Sequence, residues 1–307
     1  MRTWLPLHTL VLMALVGCGK QGSDVRSGTL EVLATESYLP LIQRQAEEYH
    51  RIFSEVTVSV RGTTTREAIV DMLGGKIQCI VIDRPLNSEE QQFVRSARLR
   101  VVETEIARDA LAILVHTSNK VASLSVEKLE AIITRESTNW RQTPGSNFLG
   151  PIQLCITGKN SGLYELLAQH FFKPERDISP WSTAASEMEI IKYVAENPAA
   201  LGIVSNAAWR DASSADEEVR KRSVKILDVL GRDPGSAGLA VKLSQQNIYD
   251  ELYPLTYSLY IYTSEQQPGA GQGFSTFVAD KSGQKIFLDA GLVPKRIPYR
   301  VIQLTQE

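Results

Sequence analysis

Three times in this 307-residue chain a short apolar run ends in hydroxyl-bearing residues and passes straight into an amphipathic stretch. In the first, Leu30, Val32 and Ala34 alternate with Glu31 and Leu33, as in a sheet strand, and Thr35-Glu36-Ser37-Tyr38-Leu39-Pro40 follows. Beyond it Leu39, Ile42, Ala46, Tyr49 and Phe53 recur at steps of three and four and share one helix face. The second joins the strand-like Val56–Val60 through Arg61-Gly62-Thr63-Thr64-Thr65 to a helix carrying Ile69, Met72 and Leu73, stopped by Gly74-Gly75. The third joins Ile152–Thr157 through Gly158-Lys159-Asn160-Ser161-Gly162 to Leu163, Leu166, Leu167 and Phe171. A Ser or Thr at a helix start serves equally well as a plain N-cap. The recurrence points further, because the first N–H groups of a helix lack internal partners and hydroxyls beside them make a ready oxyanion site.

The rest of the chain continues the alternation. Ile77–Ile82 is a buried strand ending in Asp83-Arg84-Pro85-Leu86, and a helix starts at Ser88 with Gln91 in the reciprocal capping position. Strands are expected at Arg100–Ile106 and Ala110–Val115, then a helix over Val126–Thr134 capped by Ser125. Ser186 with Glu189 opens a helix through Val194, and Leu201–Val204 returns as a strand. Ser213–Lys221 is charged and is expected as a solvated excursion. Leu255–Tyr262 is a strand, and helices follow around Phe274, Phe277 and Val278 and over Gln284–Ala290. Such alternation predicts mainly parallel sheets flanked by helices, with ligands at the carboxyl ends of strands, where all three junctions fall.

The amino terminus carries a lone Arg2, an apolar run through Leu10–Val16 and then Gly17-Cys18. The run is too short for a stable membrane span and reads as a secretory signal over residues 1–17. Leu15-Val16-Gly17-Cys18 resembles the lipobox of bacterial lipoproteins, which implies cleavage before Cys18 and lipidation of its sulfur. Residues 18–28 are small and polar, as a tether would be. The expected location is the cell envelope, lipid-anchored and facing the periplasm or exterior. About 290 residues remain after cleavage, enough for two lobes with their own cores.

Composition excludes several classes. With 33 basic against 35 acidic residues and no basic block, nucleic acid is not expected as a partner. Beyond Cys18 only Cys79 and Cys155 remain, both in apolar runs; they read as buried inert thiols, with a disulfide left open. No His-x-x-x-His or paired-Cys spacing suggests a metal. The phosphate-loop pattern fails at Gly75-Lys76, since Ile77 follows and Val70 replaces the first Gly, and no Gly-x-Ser-x-Gly elbow occurs. Neither an enzyme nor a cofactor is expected.

The segments together resemble the phosphate-binding component of bacterial phosphate ABC importers, in the type II periplasmic binding protein group. Ala34-Thr35-Glu36-Ser37-Tyr38-Leu39-Pro40-Leu41 is similar to that family's first phosphate loop, and Gly62-Thr63-Thr64 stands where the family has Gly-Ser-Gly. Arg84-Pro85-Leu86, Thr138-Asn139-Trp140, Tyr193–Pro198 with Leu201–Val204, Tyr253-Pro254-Leu255 and Ala290–Pro294 match further segments in the family's order. The resemblance implies two α/β lobes with mixed sheets flanked by helices, joined by two crossover strands. Lobe one would take residues 29–115 plus 258–307 and lobe two residues 116–257. It implies a monomer that captures inorganic phosphate or a related oxyanion in the interlobe cleft and delivers it to an ABC permease. The same fold also serves binders of other oxyanions or small acidic solutes, and accessory or sensor lipoproteins.

By the same resemblance the ligand shell comprises Thr35, Ser37, Tyr38, Thr63, Thr64, Gln78, Ser161, Gly162 and Leu163. Gln78, six residues before Arg84, is aligned with the Asp that accepts a phosphate proton in the family, and Thr157 with its Arg. Leu163 replaces the Thr of Ser-Gly-Thr. Arg66 and Lys159 are candidates to restore positive charge, and Glu36 or Asp83 are the alternative acceptors.

Overall fold

The computed structural model describes residues 27–171, 180–215, 223–231 and 238–296. The expected signal segment and Cys18 lie outside the described residues, as do residues 216–221 of the expected excursion.

The first unit runs β1 (Gly28–Thr35), α1 (Leu39–Ile52), β2 (Val56–Thr63), α2 (Thr65–Leu73), β3 (Cys79–Ile82) and α3 (Ser88–Ser96). β1 pairs in parallel with both β2 and β3, in a register that sets Thr35 beside Thr63 and Ala34 beside Val81. The carboxyl ends of these strands therefore form one edge, carrying Thr35, Thr63 and, directly after β3, Asp83. The apolar face of α1 closes over the sheet, where Tyr49 meets Phe274 and Phe277 with ring centroids 5.5 and 5.1 Å apart. Thr64 caps α2 through a capping box with Glu67. α3 is capped by Asn87 with Glu90, one residue earlier than the expected Ser88–Gln91 pair.

β4 (Val102–His116) is one strand of 15 residues, where the hydropathy pattern suggests two. The reason lies in its partners. β12 (Thr256–Thr263) bonds it antiparallel from Val102 to Ala110, and β8 (Ala200–Ser205) takes over from Leu111 to Val115. The strand thus crosses from one sheet into the other, and the polar pair Arg108-Asp109 that interrupts its pattern includes the fully buried Asp109 at the changeover. The second crossing lies beside it, where the Leu111 N–H donates to the Leu255 carbonyl just ahead of β12.

The second unit adds β5 (Ser123–Ser125), α4 (Val126–Ile133), β6 (Gln153–Thr157), α5 (Gly162–Phe171), β7 (Ser182–Ala184), α6 (Glu187–Glu196), β8 and α7 (Asn206–Ala215). β6 pairs in parallel with β7 and β8, and β9 (Val224–Ile226) bonds the far end of β4. β10 (Asp228–Leu230) and β11 (Ala240–Val241) join β5 in a small separate sheet. α8 (Gln245–Tyr249) leads towards β12, and α9 (Ala270–Ala279), α10 (Lys281–Asp289) and β13 (Val293–Pro294) return the chain to the first sheet. This is a two-lobed mixed α/β architecture. Cys79 and Cys155 are both buried free thiols.

Candidate functional site

A cavity of about 350 Å³ opens between the two sheets, walled by the loops after β1, β2, β3 and β6 and by the starts of α6 and α7. The volume suits a small solute. All three hydroxyl junctions contribute: Thr35 and Ser37 from the first, Thr63, Thr64 and Thr65 from the second, and Thr157 through Leu163 from the third.

Asp83, the residue that leaves β3, enters this wall fully buried and accepts a hydrogen bond from Thr65 Oγ1 at 2.8 Å. Opposite it lies Gly162, at the start of α5. A Cβ on residue 162 would sit 1.9 Å from Asp83 Oδ1, so only glycine lets the two sides approach this closely. The second acid is Glu187, the first residue of α6, also buried. Its Oε1 accepts from the Ser37 hydroxyl and its Oε2 from the Ser205 N–H at 2.5 Å. Burial pushes the carboxyls of Asp83 and Glu187 each up to about 6, against the pull of those donors.

The remaining hydroxyls divide sharply. Thr63 donates to Glu67 at 2.8 Å, and Thr64 shares the same carboxylate. Ser161 Oγ donates to the Gly158 carbonyl at 2.9 Å, accepts from the Tyr164 N–H and lies 2.5 Å from Thr157 Oγ1. Thr35 is different. Its hydroxyl is buried, lines the cavity and has no hydrogen-bond partner.

Lys159 reaches the rim of the cavity and is exposed. Beside the cavity, buried Arg84 bridges the two units, pairing with Glu90 through two bonds of 2.8 and 2.9 Å and with Glu165 of α5. Burial would lower the Arg84 guanidinium, but its two carboxylate partners more than offset that and hold it above its ordinary value.

Three expected positions fall elsewhere. Gln78 is exposed at the entry of β3, with its carbonyl accepting from the Ser264 N–H, and takes no part in the cavity wall. The strand it precedes runs towards the cavity, so the residue at its exit, Asp83, supplies the carboxylate instead. Tyr38 is buried beneath the cavity, with its hydroxyl donated to Asp109 at 2.9 Å. Arg66 lies on the exposed side of α2, away from the wall. Glu187 and Thr65 were not anticipated. Ser186-x-x-Glu189 signals only a helix start, and nothing local marks the intervening Glu187 as facing a ligand. Among the described residues no cluster of three or more His, Cys, Asp or Glu could hold a metal ion.

A cavity gripped between two sheets that share crossing strands is the arrangement of a solute-binding protein. Residues 19–282 match the PBP superfamily domain, and the chain belongs to that superfamily, the periplasmic binding proteins. Protein SphX of Synechococcus elongatus is 26% identical over 267 residues, an overlap covering 85% of this chain and 75% of that protein. Phosphate-binding protein PstS of Pseudomonas aeruginosa is 25% identical over 298 residues, covering 90% of this chain and 85% of that one. Among solved structures, an ABC-type phosphate transport receptor from Vibrio cholerae shares the fold with a TM-score of 0.67 at 21% identity, over 87% of this chain and 100% of that one.

The raised carboxyl of Asp83 carries a stability signature. Its folded value of about 6 exceeds the unfolded value near 3.8, so its contribution is complete below the lower figure and is lost as pH rises through the upper one. About two units correspond to roughly 3 kcal/mol. Relative to wild type, Asp83→Asn is expected to gain roughly that much stability between pH 4 and pH 8, read from urea unfolding at each pH. A pH-independent difference between the two proteins would contradict the burial of a charged Asp83.

Proposed function

We propose that this protein is the capture component of a phosphate ABC importer, binding inorganic phosphate in the cavity and delivering it to a membrane permease. The observation that carries the reading is the pairing of an unsatisfied buried donor with a buried acceptor across one small cavity. Leaving the Thr35 hydroxyl unpaired costs roughly 1–3 kcal/mol, which a ligand oxygen would recover. Asp83, by contrast, can only accept when ionised, and so favours an oxyanion that still carries a proton. Near neutral pH phosphate does and sulfate does not, so the carboxylate discriminates by repulsion. The superfamily membership and the phosphate-binding names of the relatives support the same ligand.

Thr35, Ser37 and Asp83 belong to the side of β1–β3, and Ser161, Gly162 and Glu187 to the other. Closure about the two crossings, with the hinge at Ala110–Leu111, would bring both sets onto one ligand. The lobes then meet a few residues before the boundary suggested at residue 115. Ligand capture and closure become one event, which a permease can sense.

Calorimetry with phosphate, sulfate, molybdate and succinate tests the ligand. Phosphate is expected to bind and the others to bind far more weakly. Thr35→Val removes one hydrogen bond to a charged ligand, worth roughly 1.5–3 kcal/mol, and should weaken phosphate about 10- to 150-fold. Preference for another anion in that set would move the ligand assignment, and phosphate affinity untouched by Thr35→Val would remove the cavity as its site.

We further propose that lipid on Cys18 holds the protein at the cell envelope, since multiple acyl chains anchor where one does not. Cys18→Ala should block lipid attachment and normal processing at this site, and the mass of membrane-extracted wild type should exceed the polypeptide by the lipid. A free Cys18 thiol in that extract would contradict the anchor.

A further inference from the structure

Two hydroxyls of the cavity wall are tied to buried acids. Ser37 donates to Glu187 and Thr65 donates to Asp83. A hydroxyl has one proton to give. If Ser37 and Thr65 turn to ligand oxygens, each carboxylate loses a donor inside a buried site, where an unmet charge is costly. Glu187 keeps the Ser205 N–H on Oε2, and a ligand that returns a donor to each acid replaces the bond that each has lost. Hydrogen phosphate has one O–H; dihydrogen phosphate has two.

We infer that Glu187 is a second proton-reading residue of this site, so that the closed complex holds two protons between phosphate and the Asp83–Glu187 pair. The inference rests on the phosphate reading above. It concerns a specificity-determining residue on the side of the cavity opposite the β3 acid, and it follows from geometry: two buried carboxylates line one small cavity, each tied to a hydroxyl that also lines it.

Three further acids share the wall with Glu187. Glu36 follows β1, Asp83 follows β3 and Asp211 lies on α7, all three in the cavity wall. Glu189 on its own helix accepts from the Ala185 N–H, and Tyr257 beneath is a buried phenol. Among the described residues, Lys159, exposed at the rim, is the basic side chain in the wall. Burial raises the Glu187 carboxyl, and the charge of Asp83 adds to that rise. Protons shared with the ligand relieve this crowding in a way that an unprotonated oxyanion cannot.

The consequence is a proton count. Above neutrality free phosphate carries mainly one acidic proton and both acids are ionised, so forming a two-proton complex takes up one proton from solution. Phosphate affinity should therefore fall about tenfold per pH unit through the alkaline range. A site with Asp83 as sole acceptor would bind hydrogen phosphate with no uptake and little pH dependence.

Calorimetric titration of the mature protein with phosphate at pH 8, in buffers of different ionisation enthalpy, gives the number directly. Wild type is expected to take up close to one proton and Glu187→Gln close to none, with the variant losing the alkaline decline in affinity. The wild-type count needs no variant, so a poorly folding Glu187→Gln does not blunt the test. Phosphate binding by wild type with no proton uptake overturns the two-proton site while leaving the phosphate reading intact. Uptake that persists in Glu187→Gln overturns the assignment to Glu187. Absence of phosphate binding from pH 5 to pH 8 overturns the phosphate reading, and this inference with it.

Discussion

A carboxylate sealed from water at the point where β4 changes sheets is the interaction on which the two halves of the molecule depend. Asp109 collects donors from three separate segments: the Tyr38 hydroxyl at 2.9 Å, the Asn206 amide at 3.1 Å and the Ala207 N–H at 3.1 Å, with the Tyr257 hydroxyl at 3.4 Å. Burial pushes its carboxyl up, and these donors act against that shift. Each of them, left unpaired, would cost roughly 1–3 kcal/mol, so the acid fixes how the start of α1, the start of α7 and β12 meet. Its place in the fold is also why a single long strand can serve two sheets without a loop between them.

The same network reaches the cavity from both sides. Tyr38 follows Ser37, which bonds Glu187, and Ala207 precedes Ala208, which lines the wall. These residues of the cavity wall are thus one peptide bond from the groups anchored at the changeover. Arg84 adds a second tie at the rim through Glu90 and Glu165. Removing one member of a buried pair of this kind typically costs about 3–5 kcal/mol, because the other charge is left uncompensated. The cavity therefore sits between two polar clusters, the Asp109 network and the Arg84 pairs.

Much of the architecture was legible in the sequence because it rests on periodicity. The strands and helices around the first and third junctions appear where Leu30–Ala34, Leu39–Phe53 and Ile152–Phe171 place them, and Ser125 and Ser186 cap the helices they precede. α7 was not anticipated: its start is fixed by Asp109, 97 residues away. Of the residues expected at a ligand, Thr35, Ser37, Thr63 and Ser161 line the cavity, and Gln78 and Arg66 do not. Counting back from Arg84 selects Gln78, yet β3 is four residues long and its exit, not its approach, faces the ligand side. Tyr38 was placed with the ligand because it is flanked by site residues, whereas a tyrosine in the tight turn before α1 points inward to a buried acid. Glu187 depends on the packing of α6 against the Ser37 loop, a contact between residues 150 apart that no local pattern encodes.

The central claim is that an oxyanion is held in the cavity by Thr35 and Asp83, on the edge formed by the ends of β1 and β3. A crystal structure of the protein with phosphate tests it most directly. The expected result is phosphate between the sheets, with one oxygen within hydrogen-bond distance of Thr35 Oγ1 and another against the Asp83 carboxylate. Phosphate bound elsewhere, with Thr35 and Asp83 keeping their present surroundings, would contradict it.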